Sequence, residues 1–363
     1  MKKAHNFKRS LCLLLAILAA VTLAACTTTE NEPTGGSNAP LSPGLSMIEG
    51  VAIHDSGVAM QTDNFKITPG MMAYFFYGYG GALLPEMEKN VPYDSSKTLH
   101  EQIYRDGLSF YDVLMNSTLQ KVSELLIYCE AAKAEGVELT EQQRLSLEST
   151  MTSLRVEAAG YGMELDAYLQ RFYGPMITAA DLQRVYEYEM LGTTYSATVR
   201  VRLEGSITME QINAYVAEKG LTDTTLSRNI AYLAIPYAGG SANETVASAV
   251  MEALRAAPTA ATLEQNAAGG SYGTERDLTR GNMGVSALAD WLYDDGRAVG
   301  DFGRVETSGA TYILIYTGNG MSFSQVSARM SLYDDAYAAW YNGWVEQLCF
   351  GYNYDILDSY DIS

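Results

Sequence analysis

Ile230-Ala231-Tyr232-Leu233-Ala234-Ile235-Pro236 decides how this chain is built. The run is short, apolar and rich in β-favouring side chains, and a proline closes it, so it reads as a strand. Residues 47–220 before it read as a mainly helical array with small turns. The change of character falls at Arg228 and marks the entry into a second region.

Downstream of the strand, Glu244–Arg255 reads as a helix stopped by Pro258. Gly269-Gly270-x-x-Gly273 reads as a loop and Ala287–Tyr293 as a short helix. Thr311-Tyr312-Ile313-Leu314-Ile315-Tyr316 reads as a closing strand. Strand, helix, glycine loop, helix and strand within about 90 residues make a small α+β region. Beyond Gly320 the helical period returns over Ser324–Leu348. Tyr333, Tyr337, Trp340, Tyr341 and Trp344 form an aromatic stripe there, expected to pack on the first helical region.

Upstream, helix starts are written in capping chemistry. Thr68-Pro69 supplies an N-cap and a proline at the first helical position. Thr140-x-x-Gln143 and Thr208-x-x-Gln211 are capping boxes, and Thr178-x-x-Asp181 is a weaker relative. The apolar run Met71–Tyr79 leads into an expected loop carrying Gly80-Gly81, Pro85 and Pro92. A long helix from about Ser109 to Glu135 carries Phe110, Leu114, Val122, Leu125, Cys129 and Ala132 on one face, and Gly136 ends it. Later faces are Leu147, Met151, Leu154 and Ala158, then Leu182, Val185, Tyr186 and Met190. A short helix around Leu165–Phe172, closed by Gly174-Pro175, lies between them. Val51–Met60 reads as a short strand or an extended arm.

At the start of the chain, Lys2, Lys3, Lys8 and Arg9 precede an apolar run from Leu11 to Leu23, which fits a signal-peptide core and is short for a bilayer span. Leu23-Ala24-Ala25-Cys26 resembles the lipobox of bacterial lipoproteins. The resemblance implies cleavage before Cys26, a diacylglycerol on its sulfur, and a lipid-anchored place on the extracytoplasmic face of the cell membrane. Residues 27–46 are rich in Thr, Asn, Pro, Gly and Ser and read as a tether.

Four basic residues and no acidic ones precede Cys26, so the whole-chain charge of −19 becomes −23 beyond it. So acidic a surface argues against nucleic acid as a partner. The 26 tyrosines against nine phenylalanines suit half-wet contact surfaces, because a tyrosine joins an apolar ring to a polar tip. Beyond Cys26 only Cys129 and Cys349 remain. A disulfide between them is open in an exported chain, but each sits in an apolar helical pattern and two buried free thiols fit better.

The layout resembles the SurA and PrsA type of extracytoplasmic foldase. The match rests on Asp63-Asn64-Phe65-Lys66-Ile67-Thr68-Pro69-Gly70-Met71-Met72-Ala73-Tyr74, on Ala131-x-x-Ala134-x-Gly136-Val137-x-Leu139-Thr140, and on Tyr168-Leu169 with Tyr173-Gly174. Residues 228–318 resemble a parvulin peptidyl-prolyl isomerase domain in outline, through Arg228-Asn229-Ile230, the Gly269-Gly270 and Gly273 loop, Asp290-Trp291-Leu292-Tyr293, Gly300-Asp301, and Gly309 to Ile315. Active parvulins share two active-site histidines. Asn229 stands at roughly the first position here, Thr311 or Tyr312 at the second, and the insert holds no histidine.

The expectation is therefore an α+β, mainly α protein. Residues 1–25 are signal, 26–46 lipidated tether, 47–225 a SurA-like helical chaperone domain, 226–320 a degenerate parvulin-like domain, and 321–363 a C-terminal helix completing the helical domain. The resemblance implies binding of unfolded or newly exported polypeptides. Met71, Tyr74, Tyr77 and Tyr79 are the candidate client contacts, Phe75 and Phe76 fitting better as core. Isomerisation needs a groove that favours the twisted amide, whose barrier is about 18–20 kcal/mol. A binding groove outlasts loss of the histidines more readily than turnover does. An active isomerase is the alternative. A solute-binding or envelope-scaffold lipoprotein is another, although two repeated α/β lobes are not evident.

No cofactor or metal is expected. His54 and His100 are far apart and read as surface or cap residues, and no phosphate loop, nucleophile elbow or dinucleotide fingerprint occurs. The acid pairs Asp294-Asp295 and Asp334-Asp335 read as solvated helix faces.

Overall fold

A computed structural model describes residues 48–237 and 244–361. Cys26, the signal segment and the tether lie outside the described residues. The fold is α+β and mainly helical, with a separate antiparallel sheet. The chain falls into two compact units. Among the described residues one takes in 48–203 with 336–361, the other 204–335.

The first unit opens with β1 (Gly50–Ala52), β2 (Met60–Gln61) and β3 (Lys66–Ile67). Thr68 then caps α1 (Pro69–Glu88), its hydroxyl accepting from the Met71 N–H at 3.1 Å. The same hydroxyl donates to Asp181 at 2.6 Å, and Gly70 permits this approach, since a Cβ there would sit 2.4 Å from the Asp181 carboxylate. The expected loop at Gly80-Gly81 and Pro85 is instead helix. Pro85 removes one backbone donor, yet Met87 is buried and Leu83 and Leu84 pack on the main core, so burial carries the helix past its breakers.

β4 (Ile103–Arg105) and β5 (Leu108–Ser109) form a small hairpin that leads into α2 (Phe110–Ala134). Ser109 and Asp112 make a reciprocal capping box. α3 (Glu141–Gly160), α4 (Leu165–Tyr173) and α5 (Ala179–Ser206) follow. Thr140 and Gln143 cap as their spacing indicates. Thr178 and Asp181 form a full reciprocal pair, stronger than their sequence suggested. α5 packs tightly on α2: a Cβ at Gly192 would meet Leu125 at 2.6 Å.

The second unit holds α6 (Met209–Lys219), β6 (Leu226–Pro236), α7 (Glu244–Ala256), α8 (Ala260–Gln265), β7 (Ser271–Leu278), α9 (Ser286–Leu292), β8 (Phe302–Glu306) and β9 (Ala310–Ser322). The strands make one antiparallel sheet in the order β7-β6-β9-β8. The central pair β6 and β9 contains the two strands read from sequence, both longer than expected. Ala231, Leu233 and Ile235 point to one face with Ile313 and Ile315, where α7 and α8 cover them. Ile230 and Tyr232 point to the other with Tyr312, Leu314 and Tyr316. The edge strands β7 and β8 went unread because they are short or polar. Gly273, expected in a loop, lies in β7 opposite Tyr232, whose ring occupies the space a side chain would take.

α10 (Phe323–Gln347) follows, and in its 336–347 part Trp340 stacks on Tyr128 at 5.2 Å while Tyr128 donates to the Tyr337 hydroxyl at 3.0 Å. β10 (Phe350–Tyr352) and α11 (Tyr354–Leu357) close the chain, with β10 parallel to β1 and antiparallel to β2. This tail is part of the core: Tyr352 and Tyr360 are almost fully buried, and the Tyr360 phenol donates to the Pro69 carbonyl at 2.8 Å. Cys129 and Cys349 are free. Cys129 is buried, but Cys349 falls just past the helix end and is exposed, against the expectation of two buried thiols.

Candidate functional site

In the sheet unit the three degenerate parvulin positions do not converge. Asn229 pairs in register with Gly318, whereas Thr311 lies opposite Ile235 and Tyr312 opposite Ala234. Five or six residues of extended strand separate them, roughly 17–20 Å. Asn229 does structural work instead. Its Oδ1 accepts from the Asp277 N–H at 2.8 Å and its Nδ2 donates to the Asn319 carbonyl at 3.1 Å. Asp277 has a φ of 54° where β6 and β7 slip register, so Asn229 satisfies a bulge donor that the ladder leaves free. The Asp277 carboxylate in turn accepts from Ser227 at 3.2 Å, from the Met321 N–H at 2.8 Å and from Arg329 at 2.8 Å. Thr311 is fully buried and donates to Glu306 at 2.8 Å.

Tyr312 belongs to the more open face of the sheet. It and Tyr232 lie 6.1 Å apart, with Leu288, Met283 and Trp291 half-buried beside them. Gly303 leaves room for the Trp291 ring, and the Arg297 guanidinium sits 4.3 Å from that ring's centre. Arg228 lies between Tyr293 and Tyr316, 4.8 and 5.2 Å from their centres, and donates to the Leu292 carbonyl. The result is an aromatic surface on the antiparallel sheet.

In the helical unit, the four candidate contacts on α1 have different fates. Met71 is fully buried in the core and offers no surface to a ligand; the helical period turns it inward with Phe75. Tyr77 is half-buried, its phenol pushed up by burial and by Asp361. Tyr74 and Tyr79 join a cluster that sequence did not show. Tyr74 lies 5.0 Å from Tyr173 and 6.2 Å from Tyr186, while Tyr79 stacks on Phe75 at 5.9 Å. Tyr79 keeps 39% of its surface open to solvent.

Glu189 lies among these rings. Its Oε2 is shielded from solvent and has no hydrogen-bond partner among the described residues. Burial raises its carboxyl to about 7. The phenols of Tyr74, Tyr79, Tyr173 and Tyr186 are all pushed up, first by burial and then by neighbours including Glu189; Tyr173 reaches about 12. Glu124 also raises Tyr79. Glu124 also accepts from the Tyr337 hydroxyl at 3.1 Å, beside a cavity of about 80 Å³ lined by Gln120, Glu124, Tyr337 and Tyr341. A glutamate on α5 cannot be placed among tyrosines of α1 and α4 by spacing; only packing reveals it.

Among the described residues, no group of three or more His, Cys, Asp and Glu side chains could hold a metal ion. His54 is exposed, and His100 is exposed and stacks on Tyr111 at 3.8 Å. No helix among these residues is long and apolar enough to cross a membrane.

The described residues thus define an α+β protein, mainly helical, with an aromatic-faced antiparallel sheet unit. No protein-family model matches the chain, and no curated protein does. Among solved structures it is similar to PrsA from Bacillus subtilis, at 13% identity over 85% of this chain and 94% of that one, with a TM-score of 0.31. It is similar to foldase protein PrsA from Streptococcus pneumoniae, at 15% identity over 67% and 88% of the two chains and a TM-score of 0.22. A SurA-like chaperone of Campylobacter jejuni is similar at 10% identity over 84% and 97%, with a TM-score of 0.21.

Proposed function

We propose that this protein is a membrane-tethered, extracytoplasmic foldase-like chaperone that binds unfolded exported polypeptides. The observation that carries the reading is the aromatic face of the sheet unit. Tyr232, Tyr312, Trp291, Met283 and Leu288 stand half-buried on one side of a four-stranded antiparallel sheet while two helices cover the other. Tyr and Met surfaces adapt to varied apolar segments. The lipobox-like Leu23-Ala24-Ala25-Cys26 supports a lipid anchor, and residues 27–46 would hold the folded part off the membrane.

Turnover as a prolyl isomerase is weak or absent in this reading. Asn229 is committed to a bulge and Thr311 to Glu306, so neither is placed to act on a bound amide. The test is suppression of aggregation. The chain from residue 26 carrying Cys26→Ser is mixed with several chemically unfolded clients, and light scattering is followed at stoichiometric ratios. Suppression is expected; unchanged scattering across all clients refutes the reading. The rate of isomerisation of a proline peptide, measured alongside, is expected to equal the uncatalysed one.

A further inference from the structure

Arg228 has no acid of its own. Arg280, Arg297 and Arg329 of the same unit each have one: Asp290 at 3.2 Å, Asp294 at 3.4 Å and Asp277 at 2.8 Å. Among the described residues Arg228 forms no ion pair, and its side chain donates to a single acceptor, the Leu292 carbonyl. A guanidinium has five donor hydrogens, so most of this fork is uncommitted. Tyr293 and Tyr316 hold it, their ring centres 4.8 and 5.2 Å away. Arg280 lies over the same Tyr293 ring, 5.4 Å from its centre. Asp290 offsets Arg280 from an exposed position, Asp294 turns to Arg297, and Asp295 is exposed to solvent. One guanidinium charge is left uncompensated at this ring, in a chain whose net charge is −19.

Arg228 also belongs to the aromatic face. Ile230 and Tyr232, two and four residues on in β6, point to that face with Tyr316 and Tyr312. Four residues of strand span roughly 13 Å. The face therefore carries a cation toward one end and Tyr232, Tyr312 and Trp291 farther along, within reach of one extended segment.

The chemistry selects the occupant. The planar fork of an arginine matches a carboxylate through paired, charge-assisted hydrogen bonds. A cation would be repelled by two guanidiniums. A neutral segment lying over Arg228 would strip water from its donors and return nothing. We propose that Arg228 receives the carboxylate of an aspartate or glutamate in a bound segment whose apolar residues lie on Tyr232, Tyr312 and Trp291. The naming of a polypeptide as the source rests on the chaperone reading; the carboxylate site rests on Arg228 and its two rings. An extended segment covers the same 13 Å in about four residues, so the acid sits about four residues from the apolar anchor.

The experiment titrates the full-length chain in detergent micelles against labelled, unstructured peptides with blocked ends, by fluorescence anisotropy. One carries a Leu-Phe anchor and a glutamate four residues away, a second has glutamine there, and a third has the glutamate beside the anchor. The first is expected to bind at least fivefold tighter than the other two at low salt, the margin shrinking as salt rises. Arg228→Gln should abolish the margin and Arg228→Lys restore part of it. Arg255→Gln, on α7 across the sheet, changes the net charge equally and should keep it. Far-ultraviolet circular dichroism checks that each variant folds. Equal binding of the glutamate and glutamine peptides, or a margin that survives Arg228→Gln, overturns the site. Displacement of the first peptide by free glutarate at the peptide's own concentration would keep the carboxylate site and overturn the polypeptide as its source. Suppression of aggregation is measured separately, so loss of the margin with suppression intact overturns this site alone.

Discussion

Glu130, buried near the C-terminal end of α2, accepts a hydrogen bond from the Thr62 hydroxyl at 2.6 Å, 68 residues earlier in the chain. The same carboxylate accepts from the backbone and side-chain nitrogens of Asn64, each at 2.7 Å. One acid thus fixes the turn between β2 and β3, and with it the entry angle of α1. Glu130→Ala leaves three donors short of a partner in a shielded place. The expected loss is roughly 3 kcal/mol, read as a lower urea midpoint at unchanged slope. A midpoint within error of the parent would show that the turn holds itself.

Glu189 makes stability depend on pH. Its folded value of about 7 lies above the ordinary 4.5, so the native state binds the proton more tightly than the unfolded chain. The stability it contributes is complete below about pH 4.5 and is lost as pH rises through about 7, amounting to about 3 kcal/mol. Urea midpoints of Glu189→Gln should lack this decline between pH 5 and 8. A parent decline equal to the variant's would assign it to other groups.

Pro85 sits inside α1 with the Gly81 carbonyl four residues before it. Pro85→Ala restores a donor and removes ring crowding, partly offset by a freer unfolded chain. A gain of about 1–2 kcal/mol is expected in thermal or urea unfolding. A net loss would mean that α1 depends on a bend at this point.

The two thiols should separate kinetically. Cys349 is exposed, whereas Cys129 is buried with its thiol pushed well up by burial and Glu130. In the chain from residue 26 with Cys26→Ser, an aromatic disulfide reagent should modify one thiol at once and the second only on unfolding. Two fast equivalents would contradict the packing of α2 against α5.

Asn229 tests what became of the parvulin-like position. Asn229→Ala strands the Asp277 N–H and should cost about 1–2 kcal/mol. Asn229→Asp keeps an acceptor for that donor and should cost less. Proline isomerisation rates should not change in either variant, and a falling rate would place Asn229 in a working groove.

What sequence determined by itself was local. Thr68-Pro69, Thr140-x-x-Gln143 and Thr208-x-x-Gln211 start helices because side-chain oxygens reach donors three residues on, and no distant contact is needed. Ile230–Ile235 and Thr311–Tyr316 were legible because central strands are apolar on both faces. Tertiary structure decided the rest. β7 and β8 are edges whose polar sequences gain strand geometry only from a neighbour's ladder. Burial of Met87 carried α1 through Gly78, Gly80, Gly81 and Pro85, and β10 with Tyr360 became core only once the first strands were beside them. Register set Asn229 apart from Thr311, and packing gathered Tyr74, Tyr79, Tyr173 and Tyr186 around Glu189. Capping and strand propensity act over a few residues; register and burial join residues far apart in the chain, and spacing does not encode them.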